Sequence, residues 1–115
     1  MEARAISRHV RVTPRKVRLV ADEVRGKKVG DALAMLKYTP QAAAEHLSKL
    51  LRSAVANAEQ KNEREKAGLD VDNLVVRTVL VDEGPSQWRI SPRAQGRAYW
   101  IQRRSHHVTV VLAER

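Results

Sequence analysis

Apolar side chains recur at helical spacing in two parts of the chain, each introduced by a threonine–proline pair. The first part follows Thr13-Pro14, keeps a single apolar stripe and is closed by Gly26. The second follows Thr39-Pro40, fades into the polar run 59–66 and stops at Gly68. These stripes predict two helices, and a short helix over 31–38 is predicted between them. The stripes consist of Val17, Val20, Ala21 and Val24, then Ala32, Met35 and Leu36, and then Ala43, Leu47, Leu50, Leu51, Ala54, Val55 and Ala58.

Three further stretches have the pattern of β-strands. Residues 3–12 alternate loosely, whereas 74–81 and 108–112 are rich in β-branched side chains. The gap of about 24 residues between the last two stretches is long for a structureless loop, so we expect both strands to continue outward as a hairpin. The prediction is an α+β fold, in which a small antiparallel sheet packs against about three helices and a long β-hairpin arm protrudes. Residues 1–115 would form one domain, with a globular body over 1–81 and 99–115 and an extended arm over 82–98.

Positive charge is concentrated at the two ends of the sequence. The chain carries 22 basic and 13 acidic residues, a formal net charge of +9. Counting along the sequence gives +6 for residues 1–28 (9 basic, 3 acidic), −2 for 29–83 (7 and 9) and +5 for 84–115 (6 and 1). No acidic residue occurs between Gly84 and Ala113. A cationic, proline-stiffened segment with few apolar residues usually becomes ordered against a polyanion, which indicates nucleic acid.

Two clusters of basic side chains are candidates for phosphate binding. One surrounds the start of the first predicted helix, where main-chain N–H groups attract phosphate and residues 3–21 include no acid. The other lies in the arm, where a four-residue spacing in extended chain places arginines on one face. A solvated charged face is the alternative interpretation of both clusters. The candidates are Arg8, Arg11, Arg15, Lys16, Arg18, Arg25, Lys27 and Lys28 in the first cluster, and Arg89, Arg93, Arg97, Arg103 and Arg104 in and after the arm.

The remaining chemistry-bearing residues indicate neither a metal site nor an enzyme. There is no cysteine, His106 and His107 would point to opposite faces of a strand, and His9 and His46 have no ligand partner at suitable spacing. We find no catalytic constellation and no phosphate-binding glycine loop, so we expect no catalytic residue, metal or cofactor. We expect Trp88 to stack on a base or project into a cavity, and Trp100 to pack at the base of the arm.

No apolar run approaches the ~20 residues that span a bilayer, and the N-terminus lacks the apolar segment of a signal peptide. We therefore expect a cytoplasmic protein without a membrane partner.

Five collinear blocks, covering nearly all 115 residues, resemble the family of bacterial ribosomal large-subunit protein twenty-two. The family's N-terminal signature and long-helix motif are matched first, its two hairpin limbs next, and its last strand at the end. The blocks are Thr13–Asp22 with Arg25–Lys27, Ser53–Ala58, Val81–Pro85, Pro92–Ala98, and the set Arg104, His107, Val108 and Thr109. The chain departs from the usual family pattern at Trp88, at Tyr99-Trp100 and at Ser105-His106.

This resemblance implies a structural constituent of the large ribosomal subunit that binds ribosomal RNA, supports subunit assembly and lines the nascent-polypeptide exit tunnel with its hairpin. By position it adds His107 to the RNA-binding candidates and assigns the tunnel tip to Gln87, Trp88, Arg89 and Ile90, with Arg93 and Arg97 on the returning limb. The implied partners are large-subunit ribosomal RNA, neighbouring ribosomal proteins, and the nascent chain and macrolide antibiotics near the tip. The main alternative is an architectural DNA-binding protein whose hairpin enters the minor groove. A protein–protein adaptor is a weaker alternative.

Overall fold

The three predicted helices and the α+β class are confirmed by a computed structural model, which describes residues 2–65, 68 and 71–114, with only the backbone described at 71. The short helix begins two residues before its predicted start, because Val29 is already buried in the core. The predicted polar end of the long helix reaches residue 66, which lies outside the described residues. The elements are β1 (Glu2–Val10), α1 (Pro14–Val24), α2 (Val29–Tyr38), α3 (Ala42–Glu65), β2 (Leu74–Glu83), β3 (Gln87–Pro92), β4 (Ala98–Arg103) and β5 (His106–Glu114), with 3₁₀ turns at Val71–Asn73 and Ala94–Gly96.

The body is a three-stranded antiparallel sheet in the order β1-β5-β2, with the helices packed on one face. Alternate residues of β5 are buried at this face, as the period-two pattern requires. In β2 the buried positions change from even to odd numbers after Val76, because a β-bulge shifts the register between Val76 and Thr78. The core lies between this face and the apolar stripes of the helices.

Both outer edges of the sheet are covered by hydrogen bonds from the helical layer. From α3, Asn57 donates to the carbonyl of Arg4 and Lys61 donates to the carbonyl of Glu2, both on β1. At the other edge, Val76 of β2 exchanges two main-chain hydrogen bonds with the α1–α2 connection, where Gly26 donates and Lys27 accepts. An uncovered edge strand is a site for pairing with another chain, so these contacts favour a monomeric body.

β3 and β4 form a separate two-stranded hairpin that contributes to an elongated molecule of 66 × 27 × 15 Å. The pairing begins with Gln87 opposite Arg103 and ends with Pro92 opposite Ala98. Paired strand therefore extends beyond the predicted arm boundary at 98, as far as Arg103.

The chain reverses at Arg93–Arg97, and this corrects the expectation that Gln87, Trp88, Arg89 and Ile90 form the tip. Gln95 and Gly96 have left-handed backbone angles (φ 62° and 70°), which the reversal requires. The main-chain N–H of Arg93 donates to the carbonyl of Arg97 across 2.7 Å and closes the turn. Residues 87–90 lie in the half of the hairpin nearest the body, because their partners are residues 100–103.

Candidate nucleic-acid interface

The chain passes from the sheet into the hairpin at Gly84 and Ser105. Gly84 N–H donates to the carbonyl of Ser105 across 3.0 Å, and the Ser105 hydroxyl donates to the carbonyl of Pro85 across 2.6 Å. A β-carbon on Gly84 would lie 2.9 Å from Ser105 Oγ and 3.1 Å from Cε1 of His107, so a side chain at this position would displace the Ser105 hydroxyl. This junction fixes where the hairpin leaves the body.

An open cleft of about 580 Å³ lies between the base of the hairpin and the segment that joins β1 to α1. Four arginines from three separate parts of the chain line it, together with His9, and no carboxylate is among its lining residues. Arg104 is 3.7 Å from Glu83, so one of the four charges is partly balanced by an exposed ion pair. The full lining is His9, Arg11, Thr13, Pro85, Gln87, Arg89, Gln102, Arg103, Arg104 and Ser105.

The start of α1 opens on this cleft through Thr13. Pro14 occupies the first helical turn as predicted, but the Thr13 side chain makes no capping hydrogen bond. The first turn of α1 includes no acidic residue. The positive end of the helix dipole is therefore not balanced within the turn, which favours an anion in the cleft.

The hairpin sorts its side chains onto two faces. Directly paired residues of an antiparallel ladder share a face, and faces alternate along each strand. Arg89 and Arg103 therefore share one face. Arg93 and Arg97 are joined by a main-chain hydrogen bond next to the last strand pair, so the alternation of faces places both on the same face as Arg89. We call this the arginine face; Arg93 and Arg97 share it because the chain reverses between them, whereas the spacing argument assumed one continuous extended segment. The arginine face consists of Gln87, Arg89, Ser91, Arg93, Arg97, Tyr99, Ile101 and Arg103.

The other face carries both tryptophans of the chain, and we call it the tryptophan face. Trp88 is 62% exposed and Trp100 is 66% exposed. The expectation that Trp100 packs at the base of the arm is wrong, because the register places it opposite Ile90 in the middle of the hairpin. The tryptophan face consists of Trp88, Ile90, Pro92, Ala98, Trp100 and Gln102.

Two of the predicted phosphate-binding arginines are engaged with the sheet. Arg18 donates to the carbonyl of Val81 across 3.0 Å, and Arg25 donates to the carbonyl of Val79 across 2.8 Å. Arg25 also pairs with Asp22 at 2.5 Å. Both arginines remain exposed as residues, so an RNA contact by them stays a prediction beside this structural role.

The other predicted candidates are exposed and lie apart from the cleft lining. Arg8 is on β1, Arg15 and Lys16 are on α1, and Lys27 and Lys28 lie in the connection to α2. Their RNA contacts stay predictions.

His107 is half-buried and contacts His9, a residue that is distant from it in the sequence. His107 Nδ1 accepts a hydrogen bond from the main-chain N–H of His9 across 3.1 Å, and the two rings meet edge to face with centroids 4.9 Å apart. His9 has a left-handed backbone (φ 59°) where the β1–β5 register shifts. The described residues include no cluster of three or more metal-ligating side chains.

His106 is fully buried and stabilises the same corner of the body. Its Nδ1 lies 2.5 Å from the carbonyl of Val12 and must be the donor, because a carbonyl only accepts. Burial lowers the pKa of His106, and the charges of His46 and His107 lower it further, against the opposing effect of the Val12 hydrogen bond. A neutral His106 thus ties β5 to the segment that lines the cleft.

Helices of the kind that span a bilayer are not found in the part of the chain that the structure describes.

Comparison with known proteins gives a consistent result across the chain. The family described as Ribosomal protein L22p/L17e matches residues 5–113. The large ribosomal subunit protein uL22 of Anaeromyxobacter sp. (strain Fw109-5) is 67% identical over 103 residues, covering 90% of this chain and 69% of the relative. The protein of the same name from Maridesulfovibrio salexigens is 58% identical over 114 residues, covering 99% of both. The chain therefore belongs to the L22p/L17e family of ribosomal proteins, structural components of the large subunit rather than enzymes.

Proposed function

We propose that the chain binds large-subunit ribosomal RNA through the cleft at the hairpin base and the arginine face that continues from it. The observation that carries the proposal is the convergence of Arg11, Arg89, Arg103 and Arg104 around a cleft whose lining has no carboxylate. Arginine suits this role because its planar fork binds phosphate at two points, stacks on bases and stays charged. By binding RNA from two sides of one cleft, the protein would hold RNA segments together and support subunit assembly.

The cleft favours recognition of RNA shape over recognition of sequence. Side chains do not reach the bases in the deep major groove of A-form RNA, so proteins read phosphates, 2′-hydroxyls and unpaired bases instead. A fixed body with a rigid junction at Gly84 and Ser105 supplies charges at set positions. The ligand of the cleft is therefore the sugar–phosphate backbone at a folded RNA junction.

We further propose that the hairpin lines the polypeptide exit tunnel of the cytoplasmic ribosome, with the turn Arg93–Arg97 as its tip. Family membership and the elongated shape support this placement. The nascent chain, macrolide antibiotics and neighbouring ribosomal proteins would then approach the turn. The residues first expected at the tip would instead line the RNA passage nearer the body.

Binding of the full-length protein to purified large-subunit ribosomal RNA over a range of salt concentrations tests the RNA proposal. We expect Arg103→Ala and Arg89→Ala each to weaken binding and to reduce the slope of log affinity against log salt by about one. Arg52→Ala is the matched control, because Arg52 is an exposed arginine on α3 that lines a different groove.

Equal losses in the control and the cleft variants would contradict a specific role for the cleft. Tighter binding to duplex DNA than to ribosomal RNA at the same salt concentration would favour the architectural DNA-binding alternative.

A further inference from the structure

The tryptophan face carries three exposed large apolar side chains, and the RNA-binding role of the arginine face does not explain them. Trp88, Ile90 and Trp100 are all more than half exposed. Trp100 lies directly opposite Ile90, and Trp88 is the next residue of β3 on the same face. Three large apolar side chains therefore form one continuous surface on a two-stranded ribbon.

This surface has no partner within the described part of the body. β3 and β4 pair with each other and belong to a sheet separate from the body. Gln87, Arg89 and Arg103 of the arginine face line the cleft, and of the tryptophan face Gln102 does so. Trp88, Ile90 and Trp100 are not among the lining residues, so their exposed surface is open to whatever surrounds the hairpin.

The charge around this face favours a polyanion with exposed aromatic rings as its occupant. Arg93 and Arg97 stand at the turn on the arginine face and Arg104 follows the base of the hairpin, and the whole stretch from Gly84 to Ala113 lacks an acidic residue. The field of these unbalanced charges favours a polyanion over an apolar protein partner beside the ribbon. Single-stranded RNA satisfies both features, because its phosphates pair with arginine while its unpaired bases stack on aromatic side chains.

We propose that the tryptophan face is a stacking platform for unpaired nucleobases of ribosomal RNA, with Trp88 and Trp100 as the stacking rings. The inference rests on the proposed RNA binding and deepens it by assigning bases to one face of the hairpin and phosphates to the other. Gln102, opposite Trp88, lies at the body end of this face, where its side-chain oxygen accepts a hydrogen bond from Arg104 Nε across 3.4 Å.

The intact protein provides its own probe, because its two tryptophans are both on this face. The experiment titrates the full-length chain with a single-stranded oligoadenylate of about 12 nucleotides, a length within the range of single-strand binding sites. An abasic oligomer with the same number of phosphates is titrated in parallel. We expect oligoadenylate to quench tryptophan fluorescence and the abasic oligomer to bind more weakly without quenching.

Substitutions separate stacking from charge. We expect Trp88→Ala and Trp100→Ala each to weaken oligoadenylate binding about tenfold without changing the salt slope. Trp100→Tyr retains a ring and should restore most of the affinity, which also controls for loss of hairpin structure. Tyr38→Ala is the matched control, because Tyr38 is an exposed aromatic residue on α2.

The outcomes distinguish the platform from RNA binding itself. Equal affinity for the abasic oligomer, or unchanged affinity in both alanine variants, would overturn the platform and leave the RNA-binding proposal intact. Quenching by purified large-subunit proteins instead of RNA would overturn the platform in favour of a protein partner. Failure of oligoadenylate and of ribosomal RNA alike to bind would contradict the RNA-binding proposal as well.

Discussion

The guanidinium of Arg18 on α1 donates a hydrogen bond to the main-chain carbonyl of Val81 on β2 across 3.0 Å. Arg25, which caps the C-terminus of α1 seven residues later, makes the equivalent bond to Val79. After the bulge in β2, these two carbonyls belong to residues whose side chains face the core. Both arginines therefore hydrogen-bond the same outer edge of β2 that Gly26 and Lys27 cover at Val76 through their main chain.

Replacing Arg18 with methionine should destabilise the body without changing its fold. The variant keeps an apolar stem but leaves the Val81 carbonyl without its charged donor. We expect a loss of about 1 kcal/mol in the free energy of unfolding, measured by urea denaturation. Arg15→Met is the control, since Arg15 is exposed on the same helix and has no comparable bond to the sheet among the described contacts. A similar loss in both variants would show that helix propensity or net charge, and not the edge contact, is responsible.

Gly84→Ala should destabilise the junction between sheet and hairpin. The new β-carbon would lie 2.9 Å from Ser105 Oγ, so the hydroxyl must rotate and lose its bond to the Pro85 carbonyl. We expect a loss of about 1–2 kcal/mol by thermal or urea unfolding. Gly30→Ala is the matched control: its β-carbon meets nothing within 4 Å and it lies in α2, so stability should rise by about 0.5–1 kcal/mol. Unchanged stability in Gly84→Ala would mean that the close approach is not a constraint.

Stability should fall as the pH falls below the ordinary pKa of histidine, 6.5, because burial lowers the pKa of His106 in the folded state. Below this pH the unfolded chain binds a proton at His106 that the folded chain does not bind. The free energy of unfolding that depends on neutral His106 is therefore fully present above pH 6.5 and is lost progressively below it. The slope of the free energy of unfolding should approach about 1.4 kcal/mol per pH unit at most.

Urea unfolding between about pH 5 and 7 measures this slope. His106→Gln should flatten the profile, whereas His46→Gln should retain most of it, because burial rather than His46 is the main cause of the shift. A slope that persists in His106→Gln would assign the dependence to another group.

The position of the hairpin tip is tested by shortening both strands together. Ile90 pairs with Trp100 and Ser91 with Tyr99, so removing these four residues preserves register and faces while drawing the turn back by about 7 Å. We expect large subunits that include this variant to assemble and to show altered macrolide affinity. The deletion also removes the Trp100 ring, so Trp100→Ala in a hairpin of full length is the control for loss of that ring. Unchanged macrolide binding after shortening would place the turn away from the antibiotic region.

The helices could be predicted from the sequence because the spacing of apolar residues and the threonine–proline start signals are local features of the chain. Val17, Val20 and Val24 mark their own buried stripe, and Pro14 fits only the first turn. The resemblance assigns the tip to residues 87–90 by position alone, without a local turn signal in those residues. The reversal depends instead on left-handed backbone at Gln95 and Gly96, and only the second of these residues signals it.

The sequence predicts that the arginines of the cleft bind phosphate, but it does not predict that Arg11, Arg89, Arg103 and Arg104 line one cleft. Arg11 and Arg103 are distant in sequence, and they meet because β1 and β5 are paired and the hairpin leaves the sheet beside them. The pairing of His9 with His107 depends on the same register and on a local irregularity that periodicity does not reveal. The tryptophan face follows from the register of β3 and β4, which depends on the position of the turn at Arg93–Arg97.

A density map of the assembled large subunit containing this chain tests the central claim most directly. The account predicts RNA phosphates within about 4 Å of the guanidinium groups of Arg11, Arg89 and Arg103, on both sides of the cleft. A cleft that faces solvent or protein, with the RNA bound elsewhere on the chain, would contradict it.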